Sequence, residues 1–65
     1  MNNLREIRII KRLNQRQLSE LSHTPQSIVS SIERGVLKPW TKVAQRFSGV
    51  LGIPPNELFP DDFNR

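Results

Sequence analysis

The sequence predicts an all-α domain of five short helices, and three observations carry that prediction. Apolar residues recur at helical spacing, and no segment sustains the apolar–polar alternation of a half-buried strand. Helix-starting and helix-stopping residues, such as Asn14, Gly35 and Gly52, stand where the apolar pattern breaks. A length of 65 residues also sets one domain, with no repeats, linkers or low-complexity tracts.

The first helix is predicted over 3–11. At about 100° per residue, Leu4, Ile7, Arg8 and Lys11 share one side; Ile10 lies at its flank and Ile9 nearly opposite. The second follows Asn14, a good N-cap with Gln17 as its capping-box partner three residues on, and runs to Ser22 with Leu18 and Leu21 inward. The third begins near Pro25, whose fixed φ suits a first turn, and stops at Gly35, a natural residue just past a helix end. After the loop "VLKPW", a fourth helix over 41–51 presents Val43, Ala44, Phe47 and Leu51 on one face and closes at Gly52. "PPNELF" supplies a single-turn fifth helix from Pro55, and "PDDFNR" reads as loosely held. Residues 1–60 are thus the expected folded domain, with 61–65 a flexible tail.

Composition removes several classes of function. The chain has no cysteine and one histidine, which excludes a disulfide framework or a zinc cluster. No apolar stretch approaches the roughly 20 residues of a membrane span. "MNNLREIRIIKRLNQ" lacks the apolar core of a signal peptide, so a cytoplasmic protein is expected. Acid–base or nucleophilic catalysis needs converging His, Cys or paired carboxylates. The only close acidic pair, Asp61–Asp62, lies in the tail, and neither an enzyme nor a cofactor is predicted. Residues 1–46 hold nine Lys/Arg against three Glu, whereas 47–65 hold one Arg against three acids. A basic body with an acidic end suits a polyanionic partner on one side, or a merely solvated basic surface.

The third helix separates those two readings. Val29, Ile32 and Glu33 fall on one face; Ser27, Ser31 and Arg34 point the other way; Gln26 and Ile28 flank them, with Ser30 between. The outward stripe is short, polar and free of acid. Short side chains let a helix enter the major groove, where Gln pairs bidentately with adenine and Ser donates or accepts. The bland alternative is a serine-rich solvated helix. Against it stands the second helix, which ends about three residues earlier at a tight turn, a helix-turn-helix arrangement. In that arrangement the first helix of the pair lays its N-terminus on the sugar-phosphate backbone. Here that N-terminus is "NQRQ", with free backbone N–H groups, side-chain amides and Arg16. Lys38 and Lys42 stand beyond the third helix to hold the other side.

The stretch "LREIRIIKRLNQRQLSELSHTPQSIVSSIERGVLKPW…VLGIPPNELF" resembles the helix-turn-helix domain of the Cro/C1-type (Xre) bacterial and phage regulators. Its most specific pieces are "LNQ", "IVSSIERG" and "LGIPPNELF". The resemblance implies a compact five-helix, lambda-repressor-like fold and sequence-specific binding of double-stranded DNA, usually as a homodimer on an operator. It implies phosphate contacts for Gln15 and Asn14, base contacts for Gln26, Ser27 and Ser31, and phosphate contacts for Arg34 and Lys38. It also implies a structural pair, Arg8 with Glu33, linking the first helix to the third.

This chain departs from the family at three turns. Arg12 and His23 stand where the family usually has glycine, so a left-handed turn at either carries strain. Histidine tolerates that conformation better than branched residues do, and with no ligand cluster around it His23 is a turn residue rather than a metal ligand. Pro25 replaces a Ser/Thr cap, which Thr24 is then placed to supply. Trp40 either packs on the fourth helix, as a lone tryptophan mostly does, or lies on a phosphate or sugar. Ile9 and Phe63 either join a dimer interface or are tolerated exposure. A small repressor is therefore expected. The other class is an antitoxin-like or adaptor module that binds a protein partner.

Overall fold

A computed structural model of the chain describes residues 2–63, and among them there are five α-helices and no strand. They are α1 (Leu4–Ile10), α2 (Gln15–Ser22), α3 (Gln26–Glu33), α4 (Thr41–Leu51) and α5 (Pro55–Leu58). The predicted tail residues 64 and 65 lie outside the described residues.

Most helix ends have the causes expected of them. The Asn14 side chain accepts the Gln17 N–H at 2.7 Å, and the Gln17 side chain accepts the Asn14 N–H at 2.8 Å, a complete capping box. His23 ends α2 in the left-handed region at φ 54°, and Arg12, before α2, sits at φ 62°. Past α3, the Gly35 N–H reaches the Ile32 carbonyl and the Val36 N–H reaches that of Ser31, the paired bonds of a Schellman motif. Its left-handed residue, Gly35 at φ 76°, carries no Cβ penalty.

α3 begins one residue later than predicted. Pro25 occupies the N-cap position at ψ 142° and offers no side-chain bond. Thr24 does not cap in its place, because its hydroxyl donates to the Ser22 carbonyl and is buried in the turn.

All five helices contribute to one core: Leu4, Leu18, Val29, Ile32, Val43, Ala44, Phe47, Leu51, Leu58 and Phe59. α2 packs against both α3 and α4, α5 caps α4, and α1 lies against α3. The N-terminal asparagines tie α1 in place. Asn2 Nδ2 donates to the Ile32 carbonyl at 2.8 Å, and Asn3 Nδ2 donates to the Glu57 carbonyl at 2.9 Å.

Four burial expectations are corrected. Leu21 is 56% exposed, because the second inward position of α2 goes to Ser22, one turn after Leu18 and bonded through its hydroxyl to the Leu18 carbonyl. Lys11, placed on the inward side of α1, is exposed at the helix end. Trp40 is 46% exposed at the start of α4, so the expected packed position does not describe it. Phe63 is half-buried, with its ring 6.1 Å from that of Phe59, and packs on the core rather than standing free.

Candidate nucleic-acid interface

α2 and α3 meet at a left-handed corner held by three short bonds. The Thr24 N–H donates to the Ser19 carbonyl at 3.0 Å, and the Ser19 hydroxyl donates to the Thr24 carbonyl at 2.5 Å. Thr24 Oγ1 closes on the Ser22 carbonyl at 3.1 Å. With the hydroxyls of Ser19, Ser22 and Thr24 all bonded to backbone carbonyls, the chain itself holds the angle between the two helices.

From that corner the first turn of α3 projects outward. Gln26 and Ser27 are exposed, while Val29 and Ile32 are buried behind them. Because Pro25 supplies no cap, no side chain satisfies the first N–H groups of α3, and the positive end of the helix is left open to an anion. The start of α2 is open as well. Its capping box engages the Gln17 N–H, and the Leu18 N–H bonds to the Asn14 carbonyl, which leaves those of Gln15 and Arg16 facing outward.

The acids around this surface are managed. Glu33 is held by Arg8 Nε at 2.6 Å and Arg8 Nη2 at 3.2 Å, and its side chain is only 2% exposed. A third donor, Gln15 Nε2, reaches the same carboxylate at 3.0 Å. Arg8 also donates to the Leu13 carbonyl at 2.7 Å, binding the α1–α2 connection to the pair. A buried pair with its remaining donors satisfied is tolerated; one partner alone is not. Glu20 is exposed but lies 3.3 Å from Arg16 on the same helix.

Residues 4–58 match the model of the helix-turn-helix family. The chain belongs to the Cro/C1-type helix-turn-helix regulators. Among curated proteins nothing matches it. It is a DNA-binding helix-turn-helix protein of a regulatory, non-enzymatic family, and its partner is double-stranded DNA. No helix among the described residues is long and apolar enough to cross a membrane. No group of three or more metal-ligating side chains occurs among them either.

In this helix-turn-helix domain the residues singled out from sequence fall into separate groups. Gln15 and Arg34 line one recess, together with Arg5, Arg8, Ser30 and Glu33. Gln26 and Ser27 stand apart from it on the exposed first turn of α3. Ser31, placed outward by the helical wheel, is half-buried, and its carbonyl is taken by the N–H groups of Val36 and Leu37. Lys38 lines a different recess, beside Asp61 and Asp62. Asn14 is exposed, with its side-chain oxygen committed to the cap.

Two features were missed in the sequence. Arg5 shares the recess of Gln15 and Arg34, and its signal was the three-residue spacing that puts it beside Arg8 on α1. The hold of Gln15 on Glu33 joins positions 18 apart in sequence, and no local pattern announces it.

Proposed function

We propose that the chain is a sequence-specific transcriptional repressor, acting in the cytoplasm and pairing as a homodimer on an operator in double-stranded DNA. The observation that carries this reading is the first turn of α3, where Gln26 and Ser27 are exposed on an uncapped, acid-free helix start. Gln26, Ser27 and the hydroxyl of Ser31 read base edges in the major groove. Asn14, Gln15, Arg34 and Lys38 hold phosphates and set the register without carrying sequence information. A primary amide has two N–H donors, so Gln15 keeps one for a phosphate while the other stays on Glu33.

The test is selection of bound duplexes from a random library at near-physiological salt, repeated with Gln26→Ala. The parent enriches an inverted repeat with half-sites about one helical turn apart. The variant loses about 1–3 kcal/mol on that site and relaxes its choice at one base position. Absence of enrichment, or a variant with unchanged affinity and preference, overturns the reading.

A further inference from the structure

Three helices meet over Glu33, and the recess they form holds more positive charge than its floor uses. Its lining is Arg5 and Arg8 from α1, Gln15 from α2, and Ser30, Glu33 and Arg34 from α3 and its C-cap. Three guanidinium groups thus surround one carboxylate. Arg8 holds that carboxylate with two bonds and Gln15 with a third, and the Glu33 side chain is only 2% exposed. Arg5 and Arg34 are left over. Both are exposed, and neither has a hydrogen-bond or ion-pair partner among the described residues, whereas Arg8, Arg16 and Arg46 are all engaged. Glu6 does not neutralise them. Adjacent residues of a helix do not face each other, and Glu6 borders the neighbouring grooves rather than this recess. The backbone beneath Arg5 is also fixed. Asn2 accepts the Leu4 N–H at 3.1 Å and donates to the Ile32 carbonyl at 2.8 Å, which ties the first turn of α1 to the last turn of α3.

We propose that this recess grips one phosphate of the DNA backbone, with Arg5 as a contact from α1 beside Arg34 and Gln15. A guanidinium fork matches phosphate oxygens, and a phosphodiester has two non-bridging oxygens to accept both arginines and the second amide N–H of Gln15. The carboxylate below does not repel that phosphate strongly, because Arg8 already offsets its charge. Gln26 and Ser27 lie outside the recess, so Arg5 sets position and carries no sequence information. The interface then spans three helices, and α1 is part of it. The inference deepens the function proposed above and rests on its phosphate-holding half alone.

The experiment measures binding of the full chain to one duplex of fixed, mixed sequence across a salt series. Arg5→Gln, Arg34→Gln and the double variant are compared with the parent; Lys11→Gln removes an exposed charge at the far end of α1 as a control. Arg5→Gln weakens binding about fivefold near physiological salt and lowers the slope of log affinity against log salt by about one. Lys11→Gln changes both much less. The double variant loses less than the product of the two single losses, as groups sharing one partner do. All variants keep the parent's circular dichroism. An unchanged slope for Arg5→Gln overturns the proposal, and so does an equal drop for Lys11→Gln, because net charge then explains both. Single losses that multiply in full overturn the shared grip. Base reading fails separately: a library selection then enriches nothing while Arg5→Gln still lowers the slope.

Discussion

The two ends of α3 are built in opposite ways. Its start has no side-chain cap, exposes Gln26 and Ser27 and leaves its N–H groups open. Its end is closed by the Schellman bonds at Gly35 and Val36, and Glu33 is held by Arg8 and Gln15. A side chain that reads a base must be free to choose its hydrogen bonds, while the backbone carrying it must not move by an ångström. Closing the backbone and burying the carboxylate at one end while leaving the other open meets both demands within eight residues.

The locked end gives the largest expected effect. Arg8→Ala leaves the buried Glu33 carboxylate with Gln15 alone, and chemical denaturation should show a loss of about 3–5 kcal/mol. A domain of this size has only about 3–10 kcal/mol in total. Replacing both partners with methionine should restore most of it, since no orphan charge remains. A small loss for Arg8→Ala alone breaks the comparison, because the end of α3 is then not what fixes it.

At the C-cap of α3, just past the locked end, Arg34→Ala should weaken binding to all DNA sequences alike. The slope of log affinity against log salt should fall by about one. A change confined to one preferred site moves Arg34 from the holding group to the reading group.

The smallest effect lies at the corner that aims α3. His23 pays a left-handed conformation at φ 54°, which glycine adopts without a Cβ. His23→Gly should raise stability by roughly 0.5–1 kcal/mol with base preference unchanged. A changed preference means that the imidazole, and not only the backbone, helps aim the helix.

Much of this fold is legible in the sequence because its causes are local. The Asn14–Gln17 capping box and the glycine stops at Gly35 and Gly52 each depend on a few adjacent residues, whereas the left-handed turns at Arg12 and His23 were implied by the family resemblance. Arg8 with Glu33 was readable through family resemblance, supported by both residues falling on inward faces. Leu21 was misplaced because a helical wheel assigns one inward face by hydrophobicity. α2 is wedged between α3 and α4, and a serine able to bond its own helix fits there instead. Trp40 and Phe63 were misjudged for the complementary reason. Which aromatic finds room depends on α5 laying Phe59 beside Phe47, with ring centres 6.4 Å apart, and that is a tertiary event. Of the candidate interface, residue types and helix faces were legible. The sharing of Gln15 between a carboxylate and the surface was not, because it needs α1, α2 and α3 assembled.

The half-exposed Trp40 also decides how this protein looks under ultraviolet light. The chain has one tryptophan and no tyrosine, so emission excited near the indole band comes from a single point in the loop entering α4. The fold covers about half of that indole, so melting the core exposes the remainder. A partner that covers the loop shields it from water instead. Unfolding and docking move the one emitter in opposite directions.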